Sequence, residues 1–506
     1  GRMIPFVLER GDGITLKNFA IDWRRPFQTE MLVVESSPDD NAFVVEIDPE
    51  TFPYEVKNGT LLFTHYEWQD TLGFNVVLDP QTRTPIAESA SYGLPREGVY
   101  AEQLEGNRVR LSAADMAPPP LGSTLVSYGN SPTGRLSPAI HVANSRNITV
   151  ENVTVYAAGG MGLIAERTEN IRLDRFKVTP RPGGKRMVST CADAAHFVGC
   201  QGTVSIENCL FEHTLEDAVN VHGVYVKVVE FLGNLKYLCE LSHPQQWGVT
   251  FAQPGDWVSL IWRETVLSLY ETTVVNIDIL NERRFILTLN KLPDFLPDGL
   301  LSIENLTWYP EFTMRNSIVR GNRARGILAT TKGKTTIENN VISSQDSGIL
   351  IGGDNNVSYE SGGVEDILIR NNIFENTGSG GRGGYALYVA PSLSTEQRDG
   401  QIQYHRNIRF LDNEVRSFNA EFLFARSVSE LHVSDNRFLR STAYADTGDA
   451  PAIDIRHCRN VVIEKNTVAG FDPAPVIAVS EDSEGIDLSR QRGFTVLQSS
   501  SAAKNQ

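Results

Sequence analysis

The chain reads as an all-β protein: a right-handed parallel β-helix (solenoid) with two inserted small antiparallel β-barrel domains. Three observations lead there. A short pattern (apolar, any residue, apolar, polar, then Asn or Asp) recurs along the sequence, often at steps of twenty-three residues. β-Branched residues alternate within its copies, while helical periodicity is almost absent. The pattern also vanishes twice, for stretches near ninety to one hundred residues, and then resumes.

Residues 1–23 form the first coil, with Ile14-Thr-Leu16-Lys-Asn18 as its first copy of the pattern. The chain starts at Gly1 in what reads as mid-sheet, which suggests a truncated N-terminal part. Residues 24–137 lose the repeat and show short strands with turns such as Asn58-Gly59 and Pro119-Pro120-Leu121-Gly122, as a first barrel requires. Coils return over 138–223 with Ile148-Thr-Val150-Glu-Asn152, Ile171-Arg-Leu173-Asp174 and Val204-Ser-Ile206-Glu-Asn208. A second barrel is expected over 224–310, and C-terminal coils over 311–495, where Met314 to Ile337 and Phe410 to Val433 repeat the twenty-three-residue step. Residues 496–506 read as a disordered tail. Each coil exposes an apolar face until a neighbour stacks on it, so the repeats form one body. An Asn at the same corner of successive coils can bond the backbone or an Asn one coil away.

Composition narrows the function. With 41% apolar and 21% charged residues, the 506-residue chain is an ordinary globular protein. Its net charge of −16, with no basic stripe, argues against nucleic acid as a partner. No apolar run reaches the ~18–20 residues of a membrane span. The five cysteines include no CxxC pair and read as small buried strand residues.

Chemistry concentrates between Cys191 and Gly223. Asp193-Ala-Ala-His-Phe-Val-Gly199 and Asp217-Ala-Val-Asn-Val-His-Gly223 match position for position, twenty-four residues apart, and Glu216 precedes the second. Aligning on Gly199, Gly223 and Gly352 predicts a column of Asp193, Asp217, Arg325 and Asp346 at a coil spacing of ~4.8 Å. His196 and Asn220 share the next outward column, with His222 two residues on. Paired acids suit glycoside hydrolysis, in which one protonates the leaving oxygen and the other activates water or attacks the sugar. Like charges so close raise at least one pKa, as a general acid needs. Asp in such bends also bonds backbone amides, and that turn chemistry is the competing reading. Thr179-Pro-Arg181-Pro-Gly-Gly-Lys-Arg186 is a basic loop ahead of Asp193. It either overhangs a pocket, with Arg181 on substrate hydroxyls, or simply joins two coils. His141, His243, His405 and His457 match no ligand spacing, and no metal is expected.

Taken in order, the segments GRMIPFVLE, ITLKNFAIDWRRPF, GGMGLIAERTENI, ADAAHFVGCQGTVSIENCLFE, EDAVNVHG, RGILATT, DSGILIGGDNN and YESG make the chain resemble glycoside hydrolase family 110, the α-galactosidases. The resemblance runs nearly end to end. It implies a β-helix with two barrel inserts and removal of terminal α-1,3-linked galactose with inversion, without a metal or other cofactor. A secretory signal ahead of GRMIPF in that family implies an extracellular or periplasmic location; a homodimer is compatible with it. By the same resemblance the catalytic acids are Asp193, Glu216 and Asp217. Their place on the coils and on the basic loop makes His196, Asn220, His222, Arg181, Arg325 and Asp346 candidates for binding the carbohydrate. The family motif has Asp-Asp where this chain has Glu216-Asp217. The extra methylene moves a carboxylate by ~1.5 Å, a shift that can cost ~100-fold in rate and that opens the question of another glycosidase specificity. Two other classes compete: a polysaccharide lyase or epimerase on the same solenoid, and a non-catalytic adhesin.

Overall fold

The computed structural model describes residues 3–498 except 65–67, 90–91, 93, 96, 130–134, 292–298, 382–383, 394–402 and 447. Three parallel ladders run along a solenoid, one strand of each per coil. The first stacks Phe6–Glu9, Ile140–Ala143, Leu163–Glu166, Ala195–Val198 and the start of Val219–Gly233, and continues through Ile327–Thr330, Ile349–Ile351, Leu387–Val389 and Leu423–Arg426. The second and third are the two halves of the polar-corner pattern, such as Glu169–Asp174 with Lys177–Val178 and Gln201–Glu207 with Leu210–Glu212. Inward residues of all three make one core, including Phe176, Phe211, Phe312, Phe374 and Phe410. No single coil could bury these rings alone, which is why the repeat must stack.

The corners show how the Asn signal works. The residue at the bend takes the left-handed conformation, as at Asn152, Asn208, Asn316, Asn339 and Asn371 (φ 50–58°). Asn tolerates that region better than most side chains. The residue after it builds the ladder. Asn340, Asn372, Asn413, Asn436 and Asn466 are all buried, and each Nδ2 donates to the next Oδ1 at 2.9–3.2 Å through the first four steps. The single Asn of the sequence pattern is therefore two neighbouring residues with separate tasks.

The first insert is a six-stranded antiparallel sheet that includes Gln28–Ser37, Ala42–Ile47 and Thr124–Tyr128. It faces a three-stranded sheet across a shared core of Met31, Phe43, Leu61, Phe63 and Leu125. Asn58 (φ 51°) and Gly59 (φ 76°) form the two-residue turn that joins Tyr54–Lys57 to Thr60–Thr64. The second insert closes on itself. Val219–Gly233, Lys236–Glu240, Arg284–Leu289, Leu267–Ile279, Trp257–Trp262 and Leu301–Asn305 pair in a ring that returns to the first strand. Its opening strand begins inside the solenoid, so no loop separates coil from barrel at residue 223. At the C-terminus, Thr495–Gln498 still pairs with Val476–Val479. The tail expected from residue 496 thus starts no earlier than 499, and 499–506 lie outside the described residues. No described helix is long and apolar enough to cross a membrane. All five cysteines are buried and free.

Candidate active site

The strand register pairs Ala195 with Val219 and Val219 with Ile327, so Asp193, Asp217 and Arg325 follow one another on adjacent coils. Backbone hydrogen bonds carry the stack through the bends: Ala194 N donates to Asp217 O at 3.0 Å, and Ala218 N to Arg325 O at 3.2 Å. Asp346 does not join the column. Ile327 pairs with Ile349, which sets Ser347 beside Arg325 and Asp346 beside Ala324. Alignment on Gly352 was one residue out, because inward alternation sets the register and a glycine marks only a local backbone need. The Asp346 side chain turns back to its own chain, accepting from Ser347 N at 2.6 Å.

Each acid has a different environment. Glu216 is clamped: its Oε2 accepts from Arg135 Nη2 at 2.7 Å and Arg323 Nη2 at 2.5 Å, and Arg325 Nη1 lies 3.9 Å from Oε1. Asp217 accepts from Arg325 N and Nη2, both at 2.9 Å. Burial raises the Asp217 pKa well above the usual carboxylate range; Arg325 pulls it down, and the Asp193 and Glu216 charges push it further up. Asp193 is 2% exposed and meets His196 Nδ1 through Oδ2 at 2.6 Å, while its Oδ1 has no hydrogen-bond partner.

His196 Nε2 lies 2.9 Å from His222 Nε2, and His222 Nδ1 lies 2.6 Å from Gly223 O. A carbonyl only accepts, so His222 carries its proton on Nδ1 and its Nε2 accepts from His196. Burial opposes charge on His196, but the Asp193 hydrogen bond and carboxylate outweigh it and raise the His196 pKa. Burial lowers that of His222. The result is a directed chain from Asp193 through a readily protonated imidazole to a neutral one.

His196 and His222 open into a cavity of about 390 Å³ whose lining also includes Arg135, His141, Glu166, Trp247 and Glu360. A second cavity, about 340 Å³, lies further along the solenoid and includes Arg325 and Glu360. Asn220 is 3% exposed and bonds Glu360 on one side, while its Oδ1 has no partner. Burial works to raise the Glu360 pKa, but His222, His196, Arg325 and the Asn220 hydrogen bond bring it below the usual range. His141 had no assignable partner from spacing, yet its Nε2 meets Glu166 Oε2 at 2.6 Å on the floor of the first cavity. Among the described residues no group of three or more His, Cys, Asp or Glu side chains is arranged to hold a metal ion.

Both inserts wall the site. The segment His243–Trp247 of the second lines the first cavity. That insert is latched to the solenoid by Arg167, which donates to Asp256 Oδ2 at 2.9 Å and Phe251 O at 3.0 Å beneath the Trp308 ring. The basic loop before Asp193 is the connecting kind: Arg181 donates to Asp22 at 2.7 and 3.0 Å and lies over Tyr156, so it does not reach a sugar in the first cavity. The loop's end is held by Glu30 of the first insert, which accepts from Met187 N and Val188 N at 2.9–3.2 Å.

Burial raises the Glu30 pKa from 4.5 to about 6. The folded state then binds more protons than the unfolded one between those values, so stability falls as pH rises through that window. Glu30→Gln is expected to remove roughly 2 kcal/mol of that fall. Urea midpoints of parent and variant on either side of the window check this; an unchanged pH slope in the variant would overturn it.

Three family descriptions match this architecture: GLAA-B β-barrel domain I over residues 29–125, GLAA-B β-barrel domain II over 236–299, and a right-handed β-helix region over 301–502. A protein of Bacteroides thetaiotaomicron named α-1,3-galactosidase B is 32% identical over 93% of this chain and 76% of its own length. The chain belongs to the α-1,3-galactosidase family. An α-1,3-galactosidase A of Shewanella woodyi is 30% identical over 95% of the chain and 78% of itself. An α-1,3-galactosidase B of Phocaeicola vulgatus is 32% identical over 88% and 77%.

Within this α-1,3-galactosidase family fold the three expected acids, His196, Asn220, His222 and Arg325 come together, whereas Arg181 pairs with Asp22 and Asp346 bonds its own chain one register place out of the column. Sequence reasoning passed over Arg135, Arg323 and Glu360. The only signal for Glu360 was its place in the YESG segment, because Glu360–Ser361 is a two-residue strand lying antiparallel on Gly223–Val224, outside the repeat. Glu216, the departure from Asp-Asp, is long enough to reach guanidiniums from the end of the first insert and from the next coil.

Proposed function

We propose that the chain is an exo-acting, inverting glycoside hydrolase that releases terminal α-1,3-linked galactose from glycans. What carries the reading is the unequal treatment of two acids on neighbouring coils. Burial and the neighbouring Asp193 and Glu216 charges push the Asp217 pKa up against the pull of Arg325, the direction a general acid needs to donate to a leaving glycosidic oxygen. Asp193 keeps one buried oxygen free of partners, as a base that takes a proton from water requires. That proton has an acceptor in His196, whose basicity the Asp193 carboxylate raises. Glu216 holds Arg135 and Arg323 on one oxygen beside the Asp217–Arg325 pair, which fixes these guanidiniums next to the acids. Family membership supports galactose as the sugar released, and a glycan substrate fits an extracellular or periplasmic setting.

The test follows hydrolysis of an α-galactosyl-1,3-galactose glycan by NMR. Inversion is expected to give β-galactose first, with the α form appearing only by mutarotation. Release of the α anomer first would overturn the inverting assignment, and cleavage within the chain would overturn the exo assignment.

A further inference from the structure

One outward column of the first ladder runs through both cavities. Its residues are Ile164, His196, Asn220, Leu328, Leu350 and Tyr388 on successive coils. At ~4.8 Å per coil these five steps cover roughly 24 Å, longer than a single sugar ring needs. The column changes character along its length. Its histidine bonds Asp193 and its asparagine bonds Glu360, while Leu328, Leu350 and Tyr388 line the second cavity, where Tyr388 stacks on Phe424 at 4.8 Å. Between the halves stands Glu360, which belongs to both cavities together with Ser358. The partition is fixed in place. Asp354 accepts from the backbone of Val357 and Ser358, and Gln246 of the second insert donates to Ser358 O at 3.1 Å.

We propose that the second cavity is a distal subsite for the neutral sugars that carry the terminal galactose, with Glu360 marking the boundary near the bond that is cut. The proposal rests on the glycosidase reading above and extends it to substrate length. An apolar wall of two leucines and a stacked tyrosine suits the less polar face of a sugar ring, and the exposed Ser392 offers a hydroxyl at its rim. The distance from His196 to Leu350, three coil steps or about 14 Å, puts the far end of this cavity, at Leu350 and Tyr388, beyond the sugar directly bonded to galactose. A disaccharide substrate leaves it empty, and a longer glycan fills it.

Leu350→Trp, which fills the cavity from its floor, is the variant to test. The parent enzyme is expected to show a KM about tenfold lower for an α-galactosyl tetrasaccharide than for the disaccharide with the same non-reducing end. Leu350→Trp should raise the tetrasaccharide KM by about tenfold while leaving the disaccharide kinetics unchanged; Tyr388→Ala should act in the same direction. Equal KM values in the parent, or an equal effect of Leu350→Trp on both substrates, would overturn the subsite. If neither substrate is cleaved, the glycosidase reading fails. The subsite is then read by calorimetry with the tetrasaccharide's galactose-free trisaccharide remainder: binding weakened by Leu350→Trp upholds it, and unweakened or absent binding overturns it.

Discussion

Asp217→Asn is expected to lower kcat roughly a hundredfold to ten-thousandfold on a natural glycan, the usual contribution of a positioned general acid or base. The two acids are distinguished by what restores them. With α-galactosyl fluoride, whose leaving group needs no protonation, the Asp217→Asn variant should recover most of its activity, because only the proton donor is missing. Asp193→Asn should lose a similar factor on both substrates and recover in azide, an anion that replaces the activated water. Reversed rescue would exchange the two roles, and full activity in both variants would remove them from the mechanism. The pH profile gives a further check. Asp193 carries a charge that raises the Asp217 pKa, so removing it lowers that pKa. The alkaline limb of residual activity in Asp193→Asn should therefore shift to lower pH than in the parent.

Arg167→Ala should be the most destabilising single change outside the acids. Arg167 and Asp256 form a buried ion pair with side chains 7% and 4% exposed. Asp256 Oδ2 also accepts from Asn305 Nδ2 at 2.9 Å, and Arg167 carries the Phe251 and Thr250 carbonyls. Removing one partner of such a pair costs about 3–5 kcal/mol, because the other charge stays buried without its counterion. The loss should be local. Hydrogen exchange around Thr250–Asp256 and along Trp257–Trp262 should accelerate while the C-terminal coils keep their protection. Arg167→Met combined with Asp256→Asn removes both charges and should cost less than Arg167→Ala alone. Unchanged exchange in Arg167→Ala would show that the latch does not hold the insert.

The solenoid was legible because its physics is repetitive. Val150, Leu173 and Ile206 face inward for the same reason on each coil, so the period survives inserted loops. The twin motifs around Asp193 and Asp217 were legible because neighbouring strands share a register. Legibility failed where contacts leave the repeat. Arg135 comes from the end of the first insert and Glu360 from a short antiparallel strand, and neither position has a counterpart one coil away. Asp346 failed differently: its Asp-Ser-Gly segment resembles the others, but the pairing of Ile327 with Ile349 shifts it by one place. The basic loop left two readings open, a pocket overhang or a plain connection, because Pro, Gly and charge suit both. Asp22 and Glu30, far away in sequence, decide its position.

The fifteen-residue strand Val219–Gly233 has a mechanical consequence. Asn220 and His222 lie on its first turns of pleat, and the same unbroken backbone becomes a stave of the second barrel. A strand that runs unbroken out of the solenoid, and at the junction pairs with Glu360–Ser361, offers no loop hinge, so this insert cannot swing open like a door on the solenoid. Substrate entry and product exit must then proceed through an aperture of fixed shape, with any gating left to side chains and surface loops. An enzyme built this way gives up adaptability to varied glycans in return for keeping its proton chain aligned through every turnover.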